Sequence, residues 1–571
     1  MQIIKSFINL SIFIAPALAF GQSSNLPQGA KEYHFLERME IKQQTNPSLN
    51  FSTLKPFSRK YVVEQLSAIG QPDSASVLAK EPTGLKLSAA DQYNLHSLYL
   101  NNLEWVDGKA AGYASKKDFL KTFYKTPANF FEVHNKDFDL IINPMLGLFG
   151  GAESGDGSQK QFINSRGLTV RGLIAKKIGF STTVIENQER GPGYFQEQVH
   201  TYDAVPGVGF YKPFKNNPAV FDYFDARGYL TFNATKFINL QFGYDKNFIG
   251  NGYRSLFLSD WGNSYLYAKI NTRIWKFNYQ NLFMELMPEF HKPGYDTLID
   301  RKYAAMHHLS MNVTKWLNIG VFESIIFGRK NHFDFQYLNP IIFYRHIEGT
   351  VGSPDNAFAG LDFKANVAKK FQFYGQLLLD EFLISKLRNA PTNWVNKYGY
   401  QLGAKYIDAF GISNLDLQVE ANRVRPFTYS HYDSVANYTH YNQPLAHPLG
   451  ANFQELIGIV QYQPFPKWNV YARAIYYFKG LDSIGVNNGG NIFSDYRVRT
   501  KDDGFTVGGG AKATCFNALL NVSYEFRQNL YFEAGVQFRR YTLAGFNLSN
   551  QNSTIASLGV RWNIFRRTYD F

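Results

Sequence analysis

Three histidines stand in one tyrosine-rich stretch, RVRPFTYSHYDSVANYTHYNQPLAHPLG, which runs from Arg423 to Gly450. Imidazole binds metals and moves protons near neutral pH, so these residues are the first to weigh. A zinc site wants histidines one helical turn apart, or a carboxylate ligand held beside them. His431, His440 and His447 are nine and seven residues apart and match no helical site. The stretch is therefore read without a metal and without a cofactor. Tyrosine rings among His, Asn and Gln donors suit stacking on sugar rings. On that reading the glycan-binding loop comprises Arg425, Tyr429, His431, Tyr432, Tyr438, His440, Tyr441 and His447. The competing reading is an ordinary lid packed on its own aromatics.

Other chemistry finds little support. There is no G-x-S-x-G or H-E-x-x-H motif, and the short runs GPG (191–193) and GGG (508–510) precede no helix. Asp380 and Glu381 are adjacent, so a strand would send them to opposite faces. The single cysteine, Cys515, can form neither an internal disulfide nor a thiolate cluster. No catalytic residue is selected, and the chain is read as not an enzyme.

The elements that position these residues follow from periodicity. From about residue 137 the apolar residues recur every second position. In NLYFEAGVQFRRY, Leu530, Phe532, Ala534, Val536 and Phe538 alternate with Tyr531, Glu533, Gly535, Gln537 and Arg539. SNLDLQVEAN and FINLQFGYD do the same. The pattern yields about 18 strands of about ten residues, the length that crosses a bilayer at a tilt. Connections after even strands are tight and mostly basic: Lys176–Lys177, Thr235–Lys236, Thr314–Lys315, Lys369–Lys370 and Pro466–Lys467. Those after odd strands are long, roughly 189–226, 328–356, 426–450 and 479–504. Short turns on one side and long loops on the other mark an all-β transmembrane barrel of antiparallel strands. A closed barrel leaves no unpaired edge in lipid. Its aromatic content of 17% comes with no long apolar run beyond the first twenty or so residues.

That first stretch, MQIIKSFINLSIFIAPALAFGQSS, reads as a secretory signal peptide, residues 1–21. Lys5 supplies its charge and Phe7 to Ala15 its apolar core, with cleavage after Ala19 or Gly21. Residues 22–133 have helical spacing in KPFSRKYVVEQLSAIG and SAADQYNLHSLYLNNLEWV, with Ser88 as N-cap and Asp91 three residues on. They are expected at the periplasmic mouth of a barrel spanning residues 134–571, with both termini periplasmic and the long loops extracellular. The chain closes on LGVRWNIFRRTYDF. An aromatic terminus resembles the assembly signal of outer-membrane proteins, but Tyr569 and Phe571 fall on the opposite parity to Leu558, Val560 and Trp562. Either a bulge intervenes or the strand ends near Phe565.

The polar face of the strands should line the lumen. It carries Asp245, Asp380, Glu420, Arg473, Glu533 and Arg539, together with Lys405, Asp416, Glu525 and Arg561. Mixed signs favour a filled, ion-paired interior over a conducting pore.

Residues 322–363, FESIIFGRKNHFDFQYLNPIIFYRHIEGTVGSPDNAFAGLDF, resemble the central region of the Wzi-type capsule-assembly barrels. The likeness rests on Glu323, the YLNP run with Asn339, Glu348, Asp355, Asn356, and Gly360 with Asp362. GAKEYHFLERMEIK and the His/Tyr loop resemble the Bacteroidetes branch, which includes RemB-like gliding-motility proteins. The resemblance implies an 18-stranded barrel with a helical N-terminal part that binds, anchors or helps assemble surface polysaccharide, with a link to gliding. It implies no catalytic residues.

The formal charge of +13 and pI near 9.3 suit anionic lipid, lipopolysaccharide or polysaccharide as partners. No basic helix or aromatic-basic module points to nucleic acid. Three other readings stay open here: a channel, a barrel subunit of a motility or secretion machinery, and an outer-membrane hydrolase.

Overall fold

The structure is a computed structural model. It describes residues 23–571 apart from 68–70, 73–78, 81–84, 107–109, 116–119, 121, 156–157, 289–297, 342, 353, 382, 484 and 545–548. The expected signal peptide lies outside the described residues.

Eighteen antiparallel strands close into one barrel. They are β1 (Phe138–Gly155), β2 (Gln159–Ile174), β3 (Ile178–Arg190), β4 (Asn217–Asn233), β5 (Ile238–Asp245) and β6 (Tyr265–Ile274). Next come β7 (Phe277–Leu286), β8 (Lys302–Asn312), β9 (Leu317–Phe327), β10 (Asn356–Val367), β11 (Phe371–Glu381) and β12 (Lys397–Tyr406). The last are β13 (Leu415–Val424), β14 (Phe453–Phe465), β15 (Trp468–Leu481), β16 (Ala511–Arg527), β17 (Leu530–Ala544) and β18 (Ser549–Trp562). β18 pairs with β1 to close the ring, Trp562 opposite Leu146. Two short strands, Phe131–His134 and Lys212–Phe214, only extend β1 and β4.

The loop lengths alternate. One end carries tight turns, such as Ala368–Lys369, whose φ angles of 53° and 54° suit the hairpin turns that match strand twist. The other end carries residues 191–216, 246–264, 287–301, 328–355, 382–396, 425–452 and 482–510. β13 shows the wall's two faces: Val419 is exposed outward, while Glu420 and Asn422 are buried in the lumen. Around the short-turn end stand exposed aromatics, among them Phe237, Trp275, Trp316, Phe410, Phe465 and Phe526. Such a girdle belongs at a bilayer interface.

The lumen is filled. At the short-turn end sit α1 (Lys31–Gln43), α2 (Arg59–Ser67) and α3 (Ala89–Asn101). Ser88 caps α3 in a reciprocal box with Asp91. Arg38 of α1 reaches Asp91 at 3.2 Å, Asp408 at 3.0 Å and, closer still, Asp416 of β13. Lys364 of β10 binds Glu40 at 2.7 Å, Lys405 of β12 binds Glu37 at 2.9 Å, and Lys31 binds Glu525 of β16 at 2.7 Å. Mid-lumen, residues 246–264 bury Leu256, Phe257 and Leu258.

The C-terminus departs from the expected periplasmic end: Phe571 is not part of the last strand and lies inside the lumen. β18 stops at Trp562, and residues 563–571 turn back into the lumen. The parity change at Tyr569 and Phe571 marks that turn, not a bulge. Tyr569 donates its hydroxyl to Glu189 at 2.6 Å, and Asp570 lies 3.1 Å from Arg473 and 3.2 Å from Arg254. Phe571 packs edge-on to Tyr194 and Trp261.

Candidate functional site

The loop after β13 enters the barrel mouth instead of standing up from it. Its entry is fixed by Arg425, whose Nε donates to Asn396 O at 2.7 Å and whose guanidinium reaches Asn393 O at 3.2 Å. Tyr429 and Tyr438 stack at 5.4 Å, point inward, and donate their hydroxyls to Leu256 O at 2.8 Å and Phe257 O at 2.6 Å. Both are about 1% exposed, and Tyr441 is buried as well. These rings therefore cannot stack on a sugar: the mid-lumen segment, not a ligand, occupies their faces and hydroxyls. The loop is a packed lid over most of its length. Among its tyrosines at positions 429, 432, 438 and 441, only Tyr432 keeps a partly open ring.

The histidines do not share a site. His440 Nδ1 accepts the Met287 N–H at 3.1 Å and its Nε2 faces Ser264 O at 3.0 Å. His447 Nδ1 accepts the Leu449 N–H at 3.1 Å and its Nε2 faces Glu455 at 2.7 Å. His431 Nδ1 accepts the Asp433 N–H at 3.3 Å. Each thus spends a lone pair on backbone, which is the neutral tautomer's arrangement. Burial pushes all three pKa values down, that of His440 to about 4.

An open aromatic surface does exist, at the rim, where three loops meet. The Arg497 guanidinium lies 5.1 Å from the Tyr432 ring, and that of Arg499 lies 3.8 Å from Trp394. Trp394 packs on Tyr496 at 4.8 Å, and His431 packs on Tyr432 at 4.2 Å. Trp394 and Tyr432 are half-buried, while the Arg497 side chain is 63% exposed. Each guanidinium is also paired within its loop, Arg497 with Asp495 at 2.8 Å and Arg499 with Asp502 at 2.8 Å, and rings framed by such pairs can hold a sugar by stacking and hydrogen bonding together. Of this cluster the sequence reading contained His431 and Tyr432. It missed Trp394, Tyr496, Arg497 and Arg499, because they come from two other long loops. The available signal was an aromatic–arginine pair, Tyr496–Arg497, within a loop-end connection.

The lumen charges hold inserted segments in place. Asp380 accepts the Tyr429 N–H at 2.7 Å and lies 3.6 Å from Lys397. Glu420 accepts the N–H groups of Tyr253 at 2.7 Å and Arg254 at 3.1 Å. Arg473 holds the tail through Asp570, and Glu533 binds Arg561 at 2.8 Å and Arg566 of the tail at 2.7 Å. Arg539 stacks on Tyr194 at 4.3 Å, and Asp245 lies 3.8 Å from Arg227.

The central polar residues split between the faces of the wall. Asp362 faces the lumen and meets His308 Nε2 at 2.7 Å. Asn356 donates to Ala436 O of the lid at 3.0 Å. Glu323 takes the outward parity of β9, with Ile319 and Val321. It accepts the Arg345 N–H at 3.1 Å. Asp355 pairs with Arg329 at 2.6 Å and accepts the Tyr337 hydroxyl at 2.6 Å. Glu348 pairs with Arg345 at 2.5 Å, and Asn339 Oδ1 accepts the Ile341 N–H at 3.1 Å.

Residues 226–542 match the family model described as capsule assembly protein Wzi. No curated protein sequence matches the chain. Among solved structures, Wzi of Escherichia coli aligns with a TM-score of 0.56 at 14% identity, covering 95% of this chain and 99% of its own. It is described as an outer-membrane protein of group 1 capsule assembly and a carbohydrate-binding β-barrel. OccK8 (OprE) of Pseudomonas aeruginosa aligns with a TM-score of 0.41 at 9% identity, covering 74% of this chain and 97% of its own. OprD of the same organism gives 0.39 at 10%, with 74% and 94% covered.

Proposed function

The chain belongs to the capsule assembly protein Wzi family, and from that premise we propose that it is an outer-membrane barrel that binds surface polysaccharide. The long loops face the outside and the N-terminal helical bundle faces the periplasm, while the C-terminal tail ends inside the lumen. The rim cluster of Trp394, Tyr432, Arg497 and Arg499 is the binding surface, and the buried lid beneath it is its rigid floor. The observation that carries this reading is the pair of half-open rings, each under an arginine, at the mouth of a filled barrel. A filled lumen suits an anchor, and the protein is read as non-enzymatic. A place in the RemB-like Bacteroidetes branch, with a part in gliding, is a finer form of the same proposal.

The test is polysaccharide retention on cells carrying Trp394→Ala with Tyr432→Ala, compared with cells lacking the gene. Two stacked rings at about 1 kcal/mol each imply a loss of affinity of roughly tenfold or more. Polysaccharide should move from the cell-attached to the released fraction, while the purified barrel keeps its folded mobility on a gel. Retention equal to wild type in the double variant would reject the rim, and retention in the gene-less strain would reject the glycan role.

A further inference from the structure

Outward residues of the barrel wall are elsewhere open: Val184, Leu361, Leu402 and Val419 are each about half exposed. In one sector they are not. Phe283 of β7, Tyr303 of β8, and Ile325 and Phe327 of β9 all point outward and are buried. Residues 328–355 cover them. This segment, with α4 (Tyr344–Thr350), folds down the outside of the wall and back up.

Named contacts set its course. At the rim, the Phe333 ring lies 5.2 Å from Phe327 and 5.4 Å from Tyr303. At the low point, Pro340 O accepts the hydroxyl of Tyr279, which pairs in register with Leu309 and through it with Val321, in the middle of β9. On the way back, Arg345 N–H meets Glu323, and Tyr344 lies 4.0 Å from the His307 ring. The descent is roughly four to six strand residues, on the order of 15 Å.

The strap is two-faced. Tyr337, Tyr344 and Ile347 pack on the wall. Phe335, Ile341 and Phe343 point away from it and are 79%, 83% and 74% exposed. Polarity follows depth on the way down: Arg329, Lys330, Asn331, His332 and Asp334 stand near the rim and Pro340, Ile341 and Phe343 form the tip, while on the way back Arg345, 71% exposed, stands two residues from Phe343. Part of the tip's backbone is satisfied from within. Ile341 N–H goes to Asn339 Oδ1, Pro340 has no N–H, its carbonyl takes the Tyr279 hydroxyl, and His346 N–H goes to Phe343 O at 3.0 Å. Irregular backbone at membrane depth depends on such bonds.

We propose that this strap is a re-entrant element seated in the membrane, with its tip from Asn339 to Phe343 among the acyl chains of the outer leaflet. The apolar tip continues the apolar wall beside it, and the outward polar residues Tyr279, His307 and Glu323 serve as its socket. The inference rests on the reading of the barrel as membrane-spanning, and the test separates the two.

An environment-sensitive fluorophore is attached at Ile341→Cys, with the unsubstituted protein as blank because Cys515 is buried. The protein is reconstituted in phospholipid vesicles with bromine placed mid-chain. Leu361→Cys reports an outward wall position and Asp433→Cys an exposed loop-end position; Phe343→Cys replaces Ile341→Cys should the latter fail to fold. The expected result is quenching by brominated lipid at 341 within about twofold of that at 361, none at 433, and no quenching at 341 by aqueous iodide. Quenching at 341 by iodide alone overturns the inference, since the tip is then in water. Quenching by neither agent overturns it too, since the tip is then covered by protein. If position 361 also escapes the brominated lipid, the membrane-spanning reading itself has failed.

Discussion

The two ends of this barrel are closed by different chemistry. At the short-turn end the helical bundle is held by charge: Arg38 among three aspartates, and Lys31, Lys364 and Lys405 each on a glutamate. At the loop end the lid is held mainly through backbone: tyrosine hydroxyls on carbonyls, imidazoles that accept backbone N–H groups, and charged side chains such as Arg425, Lys302 and Asp380 that bond backbone atoms rather than one another. Ion pairs tie a separate bundle to many strands through long side chains. Bonds to backbone and stacked rings demand close packing, which a lid continuous with the wall can supply. The bundle is thus docked onto the barrel, whereas the lid is built into it.

Removing Arg38 should have the largest effect. Arg38→Ala removes the cation shared by Asp91, Asp408 and Asp416 and leaves Asp91 on Lys42 and Asp416 on His34, at a cost of about 3 kcal/mol. Urea unfolding and protease digestion should show the bundle released first while the lid stays protected. Equal loosening at both ends would show that the two closures are one cooperative unit.

Acid should reverse that order. His440 has a folded pKa of about 4, below its usual value of 6.5, because burial outweighs the Ser264 carbonyl, with Lys302 and Lys246 adding to the depression. The unfolded lid binds the proton more readily, so this stability is present above pH 6.5 and lost as pH falls toward 4, up to about 3 kcal/mol. His431 and His447 shift in the same direction. At the other end burial would raise Glu37, but Lys405 and Lys55 outweigh it and hold its pKa near 2. That contribution is full above about pH 4.5 and fades only toward pH 2. Hydrogen exchange across this range should show the lid opening between pH 6.5 and 4 with the bundle intact. A bundle that opens first would contradict the assignment of backbone-held and ionic ends.

A smaller effect is expected from Tyr429→Phe with Tyr438→Phe. Each lost hydroxyl leaves a carbonyl unpaired, worth about 1 kcal/mol. The change should appear in lid exchange rates and leave the bundle untouched. The smallest is Tyr432→Ala at the rim, within about 0.5 kcal/mol of wild type in stability. Its consequence should appear in polysaccharide binding alone, which would separate the rim from the lid under it.

Much of the wall was legible in the sequence. Alternation in β13 and β17 assigns faces residue by residue, and Lys369–Lys370 and Pro466–Lys467 mark hairpin turns at their true places. Ser88 and Asp91 announced α3. What escaped were the directions taken by chain without period. Nothing local tells the Tyr/His loop to fold inward; that follows from residues 246–264, whose carbonyls receive its hydroxyls. The rim cluster was invisible because Trp394, Tyr432 and Arg499 meet only in space. One clue was readable: Glu323 and His307 occupy outward parity, where lipid would oppose a charge, so something had to cover them.

The C-terminal tail sets an order of construction. It leaves β18 at the short-turn end and runs to Glu189 at the far end of β3, with Phe565 close against Gly29 ahead of the helical bundle. Whether it is threaded through the open mouth or enclosed as β18 meets β1, it must be inside before the bundle takes its seat. The first described part of the chain to be synthesised is therefore the last to be installed, and the bundle works as the keystone of a structure whose final residues it locks in.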